Sequence, residues 1–271
     1  MPKTKRKTIG LALGSGGWRG LAHIGVIKEL KDNGIPIDYI AGCSAGSLIG
    51  GLYSYFENTD KIEETINGLT YRSLYKILLE PERHAGILKG KRVIEFLESY
   101  IGQTKIEDLN IPFTAISADL FSAKTVELKK GKLSTAIRAS SSIPLIFKPV
   151  RKRGQLLIDG ATVMPVPVST VKKMGADIVI AVNLYNNIFP FKMEYLKKPR
   201  LNLLAISRIG YQMVLYNLAL ENCKKADIVI NPIIPEGYFN IFKNFINNRT
   251  TIKDGREAAK KVIPQIKKIL K

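Results

Sequence analysis

The chain has 271 residues, 45% hydrophobic and 24% charged, which is the balance of a globular protein and excludes disordered and fibrous classes. Lys and Arg (42) outnumber Asp and Glu (23), giving a formal net charge of +19 and an attraction for anionic partners. Two cysteines, Cys43 and Cys223, are too few for a disulfide framework and favour a reducing compartment.

The N-terminus imitates a secretory signal, because the basic stretch "MPKTKRK" precedes the apolar "TIGLALGSGG". Arg19, His23 and Lys28 then follow without a small-residue cleavage site, so we expect an unprocessed cytoplasmic protein. The best candidate for a membrane span, residues 39–56, is interrupted by several glycines, and no spanning helix is predicted.

The first half of the chain alternates strands and helices. "TIGLALG" (8–14) predicts a buried strand, and 20–34 predicts a helix that ends at a glycine. "IDYIAG" (37–42) and "AGSLIGGLYSYF" (45–56) repeat the strand and the helix. Short connections in this order predict a mainly parallel sheet in a three-layer α/β/α fold.

Later segments extend the same pattern. A capping box from Asp60 to Glu63 predicts a helix start, and 112–120 with 124–131 predict a hairpin. The apolar "ADIVI" occurs twice, within 174–184 and 223–233, and each copy predicts a buried strand.

We predict one domain over 1–271, because no linker or composition break divides the chain. Its expected parts are a sheet core over 8–184 and 226–232, helical cap or lid segments over 60–110 and 185–225, and a basic C-terminal helix over 252–271 that Pro264 kinks.

The loop "GSGGWRG" (14–20) lies between a strand and a helix, where clustered backbone N–H groups can hold an anion. A dinucleotide fingerprint is disfavoured, because Arg19 replaces the third glycine and Asp38 begins the second strand instead of ending it. A tight packing turn and an oxyanion hole remain the two alternatives.

"GCSAG" (42–46) matches G-x-S-x-G, which places a serine nucleophile on a strand-to-helix turn. Histidine is a poor candidate for its base: His23 precedes Ser44 in a predicted helix, and His84 lies in a polar, exposed segment. Asp159 in "LLIDGA" ends an apolar strand. It is either a buried base or an ordinary turn aspartate, and local sequence alone favours the turn aspartate.

Together these motifs resemble the patatin-like phospholipase family, in particular bacterial members related to the neuropathy-target-esterase catalytic domain. "GSGGWRG" resembles its glycine-rich oxyanion loop, "GCSAG" its nucleophile elbow, "ASSSIPLIF" (139–147) its serine-proline block and "IDGA" its Asp-Gly motif. The four motifs occur in family order across residues 9–161.

The resemblance implies a Ser-Asp dyad without a histidine. Ser44 would attack an ester carbonyl to form an acyl-enzyme, and Asp159 would take its proton and later activate water. The backbone N–H groups of Gly16 and Gly17 would form the oxyanion hole. Arg19 would either contact a headgroup phosphate or serve the loop structurally. No cofactor or metal is expected.

The expected partner is a lipid acyl-ester substrate, with peripheral contact at the inner face of an anionic membrane. Nucleic acid is not expected, because no RNA-binding signature or zinc-finger pattern is present. The aromatic and lysine-rich segments 187–198 and 238–245 suit a membrane surface or a packed core equally. The alternative function is a non-catalytic lipid- or partner-binding regulator on the same fold.

Overall fold

The computed structural model describes residues 6–68, 88–190, 203–234 and 248–270. Eight strands in these ranges form one mixed sheet. They are β1 (Ile9–Leu13), β2 (Tyr39–Cys43), β3 (Phe113–Asp119), β4 (Thr125–Leu128), β5 (Val150–Lys152), β6 (Gln155–Asp159), β7 (Ile178–Val182) and β8 (Ile228–Ile230). The order is β5-β6-β3-β2-β1-β7-β8, with β4 also paired to β3, and β3, β2, β1, β7 and β8 are parallel.

Helices cover both faces of this sheet. The described α-helices are α1 (Ala22–Asp32), α2 (Ala45–Phe56), α3 (Thr59–Asn67), α4 (Lys91–Ile101), α5 (Leu133–Ser140), α6 (Val168–Lys173), α7 (Leu203–Cys223) and α8 (Asn248–Leu270). In the part of the chain that is described, no helix is both long enough and apolar enough to cross a bilayer.

Side chains of β1 alternate between two apolar cores. Leu11 and Leu13 belong to the core that contains α1, α2 and α8, whereas Ala12 belongs to the core of α6 and α7. Alternation with a period of two is what a strand buried on both faces produces. The predicted three-layer α/β/α class is therefore confirmed.

One edge of β3 carries two different strands, one after the other. Ala115 and Ile116 pair with β2, and Ser117 to Asp119 pair with β6. Because β4 occupies the opposite edge along residues 115–118, β2 and β6 must share this edge end to end. β2 is parallel to β3 and β6 is antiparallel, so the carboxyl ends of β2 and β6 face each other.

Local predictions are confirmed in part. The hairpin of β3 and β4 is antiparallel as expected. The predicted capping box is wrong, because the Asn58 side chain caps α3 by accepting hydrogen bonds from the backbone N–H groups of Asp60 and Lys61. Asparagine is as good an N-cap as aspartate, so the cap moves two residues upstream. The division into core, lid segments and C-terminal helix remains a prediction.

Helices α1 and α8 cross at a close approach. A Cβ on Gly25 would overlap the carbonyl oxygen of Ile252, and a Cβ on Gly255 would overlap that of Ala22. Arg256 of α8 also forms a salt bridge with Glu29 of α1, at 2.9 Å. The crossing thus fixes α1, the helix that follows the glycine-rich loop.

We expect Gly255→Ala to lower the free energy of unfolding by about 1–3 kcal/mol, because the added methyl group overpacks the crossing. Gly210→Ala is the matched control: it also lies inside a helix, and a Cβ there meets no atom within 4 Å. That variant should be neutral or stabilising by up to about 1 kcal/mol. Denaturant unfolding followed by circular dichroism measures both. Equal stabilities of the two variants would contradict the close crossing.

Candidate active site

Ser44 lies on a sharp turn between β2 and α2. Its backbone has φ 53° and ψ −118°, a conformation that costs energy for a residue with a side chain. The turn brings α2 against the end of β1, where a Cβ on Gly46 would overlap the Leu13 carbonyl oxygen. Only glycine fits there, which explains the second glycine of "GCSAG".

Asp159 is the last residue of β6 and meets Ser44 where the two strand ends face each other. The Ser44 hydroxyl donates a hydrogen bond to Asp159 Oδ2 at 2.6 Å, and the Ala161 N–H donates to Oδ1 at 2.8 Å. Burial raises the pKa of Asp159 to about 6, although both hydrogen bonds act in the opposite direction. The pair is therefore a hydroxyl beside an unusually basic carboxylate.

The glycine-rich loop is held from several sides. Ser15 N–H donates to the Pro165 carbonyl at 2.8 Å, and both the backbone N–H and the Nε–H of Arg19 donate to the Gly16 carbonyl at 3.3 Å. In a trans peptide the C=O and N–H groups point in opposite directions. Because the Gly16 carbonyl faces Arg19, the Gly17 N–H of the same peptide faces away from Arg19. In the part of the chain that is described, neither Gly16 N–H nor Gly17 N–H donates to an acceptor.

Arg19 contacts an aromatic side chain next to this loop. Its guanidinium lies 5.4 Å from the ring centroid of Tyr185, whose hydroxyl is 2.8 Å from Ser15 Oγ. These contacts are evidence for the structural alternative at Arg19, and a headgroup contact stays a prediction.

His23 is hydrogen-bonded to the glycine-rich loop and not to Ser44. The His23 side chain is 0% exposed, and its Nε2 donates to the Gly14 carbonyl at 2.7 Å, since a carbonyl can only accept. That nitrogen cannot accept a proton, and burial lowers the pKa of His23 to about 4. His84 lies outside the described residues.

Sequence reasoning missed the residues of α5, and of the turn just after it, that support the pair. Ser44 N–H donates to Ser140 Oγ at 2.9 Å, and Asp159 N–H donates to the Ser142 carbonyl at 2.9 Å. Buried Arg138 donates to Ser142 Oγ at 2.6 Å. The run "ASSSIP" signalled these serines, but their partners become adjacent only when α5 packs against β3 and β6.

Two further ionisable groups surround the pair. Cys43 is fully buried, and burial together with the negative charge of Asp159 holds the pKa of its thiol well above its usual value. Partial burial also raises the pKa of the Tyr211 hydroxyl on α7, and the negative charge of Asp159 acts in the same direction. Across the described ranges, no group of three His, Cys, Asp or Glu side chains could hold a metal ion.

Comparison with solved structures supports the fold. VipD from Legionella pneumophila superposes with a TM-score of 0.61 at 12% identity, over 96% of this chain and 67% of that one. Likeness at this identity concerns the fold alone.

Comparison with curated sequences gives nearer relatives. An uncharacterised NTE family protein of Mycobacterium tuberculosis is 39% identical over 176 residues, which cover 65% of this chain and 49% of the relative. Lysophospholipase NTE1 of Yarrowia lipolytica is 34% identical over 181 residues, or 66% of this chain and 13% of that protein. The match therefore spans about half, or much less, of these relatives.

A family model agrees with the motifs and the fold. Residues 11–172, which contain the glycine-rich loop, Ser44 and Asp159, match the model of the patatin-like phospholipases. This match covers more than half of the chain, and the chain belongs to the patatin-like phospholipase family.

Proposed function

We propose that the chain is a serine hydrolase that cleaves acyl esters of phospholipids or lysophospholipids. The observation that carries the proposal is the buried 2.6 Å hydrogen bond from the Ser44 hydroxyl to Asp159 Oδ2. A serine becomes nucleophilic when an adjacent base accepts its proton, and Asp159 is the base within reach. Membership of the patatin-like phospholipase family supports the same chemistry.

The first half-reaction forms an acyl-enzyme. Ser44 Oγ bonds to the ester carbonyl carbon while its proton moves to Asp159 Oδ2. The N–H groups of Gly16 and Gly17 stabilise the oxyanion, since they have no acceptor among the described residues. The carbon–oxygen bond to the leaving alcohol then breaks, and the proton on Asp159 passes to that alcohol.

The second half-reaction releases the fatty acid. Asp159 accepts a proton from water, whose oxygen bonds to the acyl carbon, and the bond to Ser44 Oγ breaks as the serine is reprotonated. The raised pKa of Asp159, about 6, suits both steps, because the carboxylate is ionised at neutral pH yet more basic than an exposed one.

A lipid substrate is supported by the relatives. One of them is named a lysophospholipase, and the family model is that of phospholipases. The net charge of +19 further suits a substrate presented at an anionic membrane surface. We propose peripheral contact with such a membrane on the cytoplasmic side.

Ser44→Ala should abolish hydrolysis, with a loss of at least about 1,000-fold in kcat/KM, because no acyl-enzyme can form. A fluorophosphonate probe should label the native chain and not this variant. Ser54→Ala is the matched control, since it likewise removes a buried serine hydroxyl, here from within α2. Retained hydrolysis by Ser44→Ala would refute the proposed nucleophile.

Asp159→Asn should lower kcat/KM by about 100- to 10,000-fold, because an amide accepts no proton. The native kcat/KM should rise with pH through about 6, as Asp159 ionises, and this limb should vanish in the variant. Asp119 is a buried carboxyl on β3, and Asp119→Asn is the control that should keep the rise of kcat/KM with pH. The measurement is kcat/KM against pH on a soluble ester for the native chain and the two variants.

The stability of Asp159→Asn separates this effect from misfolding. Folding raises the pKa of Asp159 from 3.8 to about 6, so this group lowers the free energy of unfolding as pH rises from about 4 to 6, and the loss is complete above that. The variant should therefore be at least as stable as the native chain at pH 8. Near-normal activity of a folded Asp159→Asn would return the base role to a histidine.

Incubation of the native chain and Ser44→Ala with a lipid panel, with products identified by mass, tests the substrate class. We expect fatty acid release from phospholipids or lysophospholipids by the native chain only. Release from neutral glycerides alone would contradict the phospholipid assignment.

A further inference from the structure

Two loops beside the candidate site expose large apolar side chains. Phe121 is 82% exposed and Leu145 is 85% exposed, and each has an exposed apolar neighbour, Leu120 or Ile146. We call these four residues the apolar rim. Single exposed apolar residues are ordinary, but two adjacent pairs on two loops of one site are an indication of a contact surface.

Both loops border β6, the strand that ends at Asp159. The first loop leaves the end of β3, and its Leu120 N–H donates to the Leu156 carbonyl at 2.9 Å. The second begins at Ser142, whose carbonyl accepts the Asp159 N–H at 2.9 Å, and it returns at Val150, which pairs with Leu157. The first loop meets β6 near its start and the second meets it at its end, so the apolar rim borders the strand that carries Asp159.

Leu145 contributes little to the stability of the fold. Its φ of 68° is unfavourable for a leucine, and its side chain has almost no packing partners. Asparagine or glycine would fit this backbone better. An exposed leucine in a strained conformation is a reason to look for a function outside the core.

The charge around the apolar rim is almost entirely positive. Between residues 120 and 158 the one acidic residue is Glu127, which already pairs with Lys129 and Lys173. The same stretch holds nine basic residues: Lys124, Lys129, Lys130, Lys132, Arg138, Lys148, Arg151, Lys152 and Arg153. Of these, Lys124, Lys148, Arg151 and Arg153 are exposed beside the two loops and the β5-β6 turn.

We propose that the apolar rim, with its surrounding Lys and Arg side chains, docks the protein on an anionic lipid bilayer. Phe121 and Leu145 enter the boundary between headgroups and acyl chains, and Lys124, Arg151 and Arg153 contact the acidic headgroups. Exposed apolar side chains on loops that also carry exposed basic side chains match an anionic bilayer in both chemistry and charge. The role of this docking in bringing lipid to Ser44 rests on the proposed function. The docking itself does not depend on that function.

Vesicle co-sedimentation in the Ser44→Ala background tests the docking without hydrolysis. Vesicles of phosphatidylcholine with about 30% phosphatidylglycerol should bind this protein, and binding should weaken as salt rises. Adding Phe121→Ser with Leu145→Asn should reduce binding at least about tenfold, because the apolar anchors are lost. Asparagine tolerates the backbone at 145, so the variant should fold, which near-ultraviolet circular dichroism checks.

Matched charge variants separate a local surface from a diffuse net charge. Arg151→Gln with Arg153→Gln should weaken binding about fivefold for each cation removed. Lys260→Gln with Lys261→Gln removes the same charge from exposed positions on α8 and should have a much smaller effect. Equal losses in the two pairs would overturn the proposal in favour of net charge alone.

Ile206→Ser is the control for the apolar part, since Ile206 is a 55% exposed residue on α7. Loss of binding in Ile206→Ser but not in the rim variant would overturn the proposal. So would a rim-dependent dimer in light scattering without vesicle binding. Hydrolysis of a soluble ester by the native chain is assayed separately. A chain that binds vesicles but hydrolyses no ester would contradict the proposed function and not the docking.

Discussion

The site depends on the way that β2 and β6 divide one edge of β3. A strand has two edges, and β4 fills the other one, so the carboxyl ends of β2 and β6 must meet head to head. Ser44 and Asp159 lie at those two ends, 115 residues apart in the chain. Their hydrogen bond is thus a consequence of backbone pairing, which holds both side chains more firmly than surface loops would.

Ser44 and Asp159 are each held in an energetically unfavourable state that the rest of the fold stabilises. Ser44 has a strained backbone, and Asp159 is a carboxyl removed from water. Ser140, the last residue of α5, and Ser142 just after it accept hydrogen bonds from the backbone N–H groups of these residues, and Arg138 donates to Ser142. The site is therefore supported by a buried polar network whose members each have a partner.

The distribution of surface features around the pair agrees with a lipid substrate. Exposed apolar side chains and basic side chains occur together on the loops that border β6, and further exposed apolar side chains lie on α7. A substrate that resides in a membrane must be reached from its surface. A cationic, partly apolar surface beside β6 would let the strand that carries Asp159 approach such a membrane.

The sequence by itself determined the layers and the local chemistry. Apolar strands that alternate with helices predicted the parallel sheet, and "GCSAG" predicted the sharp turn at Ser44, because period and glycine spacing are local properties. Local sequence favoured an ordinary turn residue for Asp159, and only the family resemblance favoured the base. The tertiary structure decided its contact with Ser44, the support from α5 and the surface beside β6, because strand pairing joins residues that no local pattern connects.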